Sequence, residues 1–268
     1  RFVAGAESAF NRSILGIDVL LAGTDEFLGL SNSVAQWVDP EVASQLLRSA
    51  ASQSLTVRFL ALVDENGKLF ASSEPVGSRL ERELPPAFIA NAMAQNMSTL
   101  VISAPVDSVA SMERVLYFGR YIRMADGSNL LAVAEVPTTT LTTVLMQGTD
   151  IAGLEVTLER SDGKVLLGVP NPDVSNDLVR TTPQVANTAV AGEAKGRARL
   201  SDVPALVVSR PLLYRDLWIT ASIPLDAALS KWRFDRNVVA AAALLFCALL
   251  LLAGAFAVDY LRRIAAAR

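Results

Sequence analysis

Leu158–Pro170 reads LERSDGKVLLGVP, and Leu62–Pro75 reads LVDENGKLFASSEP. The turn glycines Gly163 and Gly67 are each followed by a lysine, Lys164 or Lys68, and then by an apolar residue. Each stretch predicts a strand, a tight turn and a second strand, because apolar runs bounded by Asn-Gly or Asp-Gly close into hairpins. A second match follows in the same order. Val115–Leu145, VLYFGRYIRMADGSNLLAVAEVPTTTLTTVL, resembles Leu206–Trp232, LVVSRPLLYRDLWITASIPLDAALSKW. Arg120 aligns with Arg210 and Pro137 with Pro224, and each copy then enters a helix carrying Leu141 or Leu229. One such hairpin is common in any α+β protein. Two matches in order predict two copies of one α+β module, roughly ninety to one hundred residues apart.

The rest of the chain fits around this repeat. Residues 1 to 32 read as one long helix. Val3, Phe10 and Ile17 fall seven apart, and Ile14, Leu21 and Leu28 form a second seven-spaced row. This is an a/d seam, which suits a partner helix or a face of the chain's own modules. Pro40–Gln53 predicts a second helix, with Asp39 as N-cap and Pro40 as first helical residue. In the first copy, TVRFLALVD and KLFASS read as strands and Pro85–Asn96 as a helix opened by prolines. STLVIS, RVLYFGRYI and NLLAVAEVP are further strands, the last two joined at Ala125-Asp126-Gly127. Thr138–Gln147 reads as a short helix. Gly192–Arg199 reads as a mobile turn without a function.

Composition then narrows the function. The chain has 268 residues, no histidine, one cysteine (Cys247) and a net charge of −3. Zinc sites on His or paired Cys, Ser-His-Asp and Cys-His catalysis, and an internal disulfide framework are all excluded. No basic field points to nucleic acid. Val238–Val258, VVAAAALLFCALLLLAGAFAV, carries no charge. A helix of that length reaches roughly 31 Å, the thickness of a hydrocarbon core, so it predicts a membrane span. Lys231, Arg233 and Arg236 precede it, and Arg262, Arg263 and Arg268 follow it. Basic residues on both sides leave the orientation open. Trp232 is expected at the membrane interface among lipid headgroups, and Trp218 in the core of the second module. The chain opens on Arg1 rather than Met. It is therefore expected to be a fragment or processed chain.

The order of elements resembles the double-Cache, or tandem PDC, extracytoplasmic sensor domain of bacterial diguanylate cyclases, sensor kinases and chemoreceptors. Val63–Lys68 through Ser72-Ser73 is similar to the family's first hairpin. Phe118–Ile122, Asp126-Gly127 and Leu131–Pro137 are similar to its central strand pair. Ser209–Leu212, Trp218–Pro224 and Trp232-Arg233 are similar to the last strands and exit helix of its membrane-proximal module. The resemblance implies an α+β chain: a long N-terminal helix, then two tandem PAS-like modules with antiparallel sheets, then a transmembrane helix. The expected divisions are a helical stalk over 1–53, a membrane-distal module over 54–147 and a membrane-proximal module over 148–236. A span over 237–259 and a cytoplasmic stub over 260–268 complete the chain. Residues 1–236 would lie in the periplasm or outside the cell, and the span in the inner membrane, with a first span before Arg1 and a cytoplasmic output, a diguanylate cyclase or histidine kinase, after Arg268. The amino-acid-sensing subset carries a Tyr/Arg/Trp/Tyr/Asp signature absent here, so no ligand class carries over.

No motif supplies catalysis. G-x-G-x-x-G, Walker and G-x-S-x-G sequences are absent. Asp64–Gly67 starts like a calcium loop, but Lys68 takes a ligand position and no Glu closes it. Glu81 and Glu83 alternate with arginines, as on a solvated helix entry. Neither an enzyme nor a cofactor is expected. Tyr117, Phe118, Arg120 and Ser72 are the candidate ligand-binding residues. Strand alternation puts Phe118, Arg120 and Ile122 on one face. A charge there must be paired, with an anionic ligand or with a structural carboxylate. Its repetition at Arg210 favours the structural role. The expected partners are a small molecule in the distal module, membrane lipid around the C-terminal helix and a second copy of the chain through the a/d seam. The rival reading is an anchored scaffold that binds another protein and no small molecule.

Overall fold

The computed structural model describes residues 2–32, 39–74, 84–95, 97–124, 128–146, 151, 153–170, 192–214 and 216–266. Helix α1 (Phe2–Asn32) and helix α2 (Pro40–Gln53) open the chain. Asp39 caps α2, its carboxylate accepting the Glu41 amide at 2.8 Å. The first sheet is built from β1 (Phe59–Val63), β2 (Leu69–Ser72), β3 (Leu100–Ile102), β4 (Val106–Ser108), β5 (Glu113–Arg123) and β6 (Asn129–Pro137), with α3 (Pro86–Met93) between β2 and β3. Its order is β2-β1-β6-β5-β3, and β4 pairs with β5 beyond β3. Helix α4 (Thr138–Met146) follows. The second sheet contains β7 (Glu155–Arg160), β8 (Val165–Val169), β9 (Gly192–Arg197), β10 (Pro204–Pro211) and β11 (Leu217–Pro224), in the order β8-β7-β11-β10-β9. Helix α5 (Leu225–Ala266) ends the chain.

The two orders are the same once each strand is matched to its counterpart, and the register agrees residue by residue. Arg120 lies opposite Ala132, which continues across the sheet to Leu62 and Ala71. Arg210 lies opposite Ile219, which continues to Leu158 and Leu167. Val115 faces Pro137, and Ala205 faces Pro224. Gly67 and Gly163 both take positive φ, +79° and +85°, the left-handed turn that glycine alone enters without a Cβ penalty. The repeat read from the sequence is thus one topology built twice. Helix α5 is the counterpart of α4, each starting where a proline ends the central strand.

Helix α1 runs along both sheets and α4. Val3, Phe10, Ile14, Ile17 and Leu21 are buried in one core with Leu60, Leu62, Phe118 and Ile122 of the first sheet, Leu141 and Leu145 of α4, and Leu158, Leu167 and Ile219 of the second. The seam is therefore spent inside the chain, because each large apolar side chain gains about 1.5–3 kcal/mol when a sheet face covers it. That removes the seam as an argument for a homodimer; Leu28 is outside the described side chains.

Two smaller expectations change. Gly192–Arg197 is an edge strand, although Gly, Glu, Ala and Lys have poor strand propensity; pairing along β10 supplies the order. Trp218 is half-buried and not in the core. The Ala125–Gly127 turn lies outside the described residues. Within Leu225–Ala255, α5 is long and apolar enough to cross a membrane: one 18-residue stretch of it has a mean hydropathy of 2.7 and is wholly unburied.

Candidate functional site

Each sheet has one face against α1 and one covered face away from it. On the distal covered face, β5, β6 and β1 align Tyr117, Glu135 and Phe59 in one row, and Gly119, Val133 and Ala61 with Ser72 of β2 in the next. Helix α3 lies on this face. Phe88, Ile89 and Ala92 pack there with Val63, Val115, Tyr117, Leu131 and Val133. Gly119 admits Phe88: a Cβ at that position would stand 2.6 Å from the phenylalanine Cζ. The Phe88 and Tyr117 rings are tilted, 6.3 Å apart.

Within this apolar setting sits a polar cluster. Glu135 is fully buried, and its Oε2 accepts from the Tyr117 hydroxyl and the Ser108 hydroxyl, each at 3.4 Å. Ser72 is fully buried, and its hydroxyl has no hydrogen-bond partner among the described residues. An unpaired buried hydroxyl costs about 1–3 kcal/mol. Tyr117 and Ser72 thus share the covered face, whereas Phe118 and Arg120 point to the opposite face, towards α1. Glu135 and Ser108 were not singled out in the sequence; a lone glutamate in the apolar run NLLAVAEVP was the available signal.

The proximal covered face has a different filling. Its rows carry Glu155 with Ser222, then Thr157, Thr220 and Ser209, all buried. Glu155 accepts from the Leu200 and Ser201 amides at 2.8 and 3.2 Å and from the Ser222 hydroxyl at 3.4 Å. Glu159 accepts from the Thr157 hydroxyl at 2.5 Å. Arg199, from the β9–β10 turn, reaches in and holds Glu159 by a two-pronged ion pair, Nε at 2.7 Å and Nη2 against Oε2. Both side chains of that pair are over nine-tenths buried. The guanidinium fork fits a carboxylate in this way with least loss of order. The stretch Gly192–Arg199, read as a functionless turn, therefore contains the arginine that fills the second module.

On the other face, Arg120 is paired with Asp18 of α1, Nη1 to Oδ1 at 2.5 Å, and its Nε donates to the Ser98 hydroxyl at 3.0 Å. Its counterpart Arg210 pairs with Glu7 of the same helix at 2.7 Å. Arg120 and Asp18 also line a cleft of about 1050 Å³ between the two modules. Arg160, Asp162, Tyr214 and Asp216 line it too. Three carboxylates against two guanidiniums give it no single charge preference. Across it, Arg160 donates through Nη2 to the Ile102 carbonyl of edge strand β3. Asp64 closes its own turn, accepting from the Asn66 and Lys68 amides.

No family model matches this sequence, and no curated protein matches it. Solved structures do. The extracellular domain rpHK1S-Z16, assigned to a histidine kinase, superposes with a TM-score of 0.62 at 21% identity, covering 85% of this chain and 94% of that one. The ligand-binding domain of the Pseudomonas aeruginosa PAO1 amino acid chemoreceptor PctB, in complex with L-Gln, gives 0.61 at 18% identity over 89% and 96%. That of the Pseudomonas fluorescens chemoreceptor CtaA, in complex with L-alanine, gives 0.58 at 17% identity over 85% and 96%. At these identities the likeness establishes the fold.

Proposed function

We propose that this double-Cache fold is the extracytoplasmic sensory input of a membrane signalling protein and that it binds a small molecule in the distal module. The carrying observation is the contrast between the two covered faces. In the proximal module Arg199 and Glu159 satisfy each other, and Glu155 takes the Leu200 and Ser201 amides and the Ser222 hydroxyl. In the distal module Tyr117, Glu135, Ser108 and Ser72 place hydroxyls and a carboxylate under α3, with the Ser72 hydroxyl unpaired among the described residues. A few convergent polar groups in an apolar enclosure are the usual makings of a small-molecule site. Tyr117 and Ser72 are the proposed ligand contacts. Phe118 and Arg120 would support the sheet from behind. Amino acids and other amines are the first ligands to try, because the similar chemoreceptor domains hold L-Gln and L-alanine.

Ligand entry would require Phe88 to give way above Gly119. That displacement would move α3 and β5, and a ligand changes the balance only through different affinity for the two arrangements. Helix α5 begins at the end of β11 and would carry the change into the membrane. Its first turns carry Trp232, with the Arg236 guanidinium 5.0 Å from the ring centre, an amphipathic pair suited to lipid headgroups. Residues 1–236 would then lie outside the inner membrane, ahead of a cytoplasmic output such as a cyclase or kinase. Pairing of two copies would use the face opposite the buried seam, where Leu15 and Val19 are exposed.

A thermal-shift screen of the chain in detergent against amino acids, amines and carboxylates tests the proposal. At a hundredfold excess over Kd a ligand adds about 2.7 kcal/mol, or roughly 5–10 °C for a domain of this size. Silence across all three classes would favour the scaffold reading.

A further inference from the structure

Asp18 is held by both modules at once. Its Oδ1 takes Arg120 from strand β5 of the distal sheet at 2.5 Å. Its Oδ2 takes the hydroxyl of Tyr214, from the β10–β11 turn of the proximal sheet, at 3.2 Å. The same turn is fastened a second time to α1, where the Leu213 amide donates to Asn11 Oδ1 at 3.0 Å. The second arginine–carboxylate pair on α1 among the described residues, Arg210 with Glu7, joins the helix to the proximal sheet alone. One carboxylate thus bridges the modules, and the second, roughly 16 Å away along the helix, does not. The site is partly buried, with Asp18 and Arg120 side chains 20% and 23% exposed, so the pair is less screened than a surface bridge. Tyr214 shows the same closeness: burial, and then the Asp18 charge, push its phenol up to about 12.

We infer that Asp18 couples the distal module to the proximal one, beside the Arg160–Ile102 contact, so that a shift of β5 is felt at the β10–β11 turn through a shared carboxylate. The chemistry allows this in both directions. When Arg120 withdraws, Asp18 loses its fixed orientation, and the Tyr214 hydroxyl loses its acceptor geometry. Coupling between two sites is reciprocal, so loosening Tyr214 must loosen Arg120. The β10–β11 turn leads into β11, and β11 leads into α5. The inference holds with or without a ligand. Its failure would leave the sensing proposal standing, and failure of that proposal would leave the coupling standing.

Hydrogen–deuterium exchange on the full chain in detergent micelles reads this directly. Arg120→Met removes a distal side chain, and the expected result is exchange about fivefold faster at Leu212–Leu217 as well as at β5 and β3, since residues sharing a partner couple at this level or above. Tyr214→Phe removes one hydroxyl and leaves the fold intact. It is expected to speed exchange in Leu100–Ile102 and Gly119–Ile122. Arg210→Met is expected to leave those distal segments unchanged. If Arg120→Met loosens only its own module and Tyr214→Phe only the turn, Asp18 is a local anchor and the inference is overturned. An Arg120→Met chain too unstable to measure leaves the Tyr214→Phe arm to decide.

Discussion

Arg120 and Arg210 stand at the same position of two sheets, and each binds a carboxylate of α1, Asp18 or Glu7. The topology built twice carries the arginine in both copies, and both are fitted to a single helix. The two pairs should not be equal. Arg120 is the less exposed and also donates to Ser98. Arg120→Met is expected to lower unfolding stability by about 2 kcal/mol and Arg210→Met by about 1, between the values for exposed and buried pairs. Denaturant unfolding measures both, and an equal or reversed ranking would contradict the argument.

Removing Arg199 should be costlier than removing either. Arg199→Ala leaves Glu159 buried without its fork, at a cost of about 3–5 kcal/mol. Replacing both partners with apolar residues, Arg199→Met with Glu159→Leu, should recover much of that loss, because the desolvation penalty disappears with the charges. The comparison of single and double variants by thermal melting checks it. A double variant as unstable as Arg199→Ala would mean that the pair does more than satisfy itself.

Tyr214 gives a pH dependence with a definite sign. Burial and the neighbouring Asp18 raise its phenol from 10.0 to about 12. A raised acid favours the protonated folded state, so its contribution is complete below pH 10 and is lost as pH climbs towards 12. Tyr214→Phe is expected to remove that part of the alkaline loss of stability. Unfolding midpoints of the two proteins across pH 9–12 should converge at the alkaline end.

Much of this was readable in the residues. Asp-Gly-Lys and Asn-Gly-Lys set the two hairpins, and the alignment of Arg120 with Arg210 proved to be a true structural equivalence. The alternation in VLYFGRYI placed Phe118 and Arg120 together. What alternation cannot say is which face looks at what: Arg120 turned out to face α1. The a/d seam had the same ambiguity, since a helix packs its apolar stripe on a sheet as readily as on another helix. Arg199 was hidden by composition, because Gly-Glu-Ala-Lys-Gly carries no strand signal and only pairing along β10 orders it. Glu135 was hidden by its neighbours, an apolar run in which one carboxylate looks incidental.

The most direct test is an equilibrium titration of the chain in detergent with amino acids and amines, repeated on Tyr117→Phe and Arg199→Lys. Tyr117→Phe removes one hydroxyl from the distal covered face and is expected to weaken binding about tenfold or more, the cost of a hydrogen bond to a buried partner. Arg199→Lys alters only the proximal face and is expected to leave affinity within about twofold, as for a distant independent site. Binding that ignores Tyr117 and follows Arg199, or no binding by any compound, would contradict a distal sensory site.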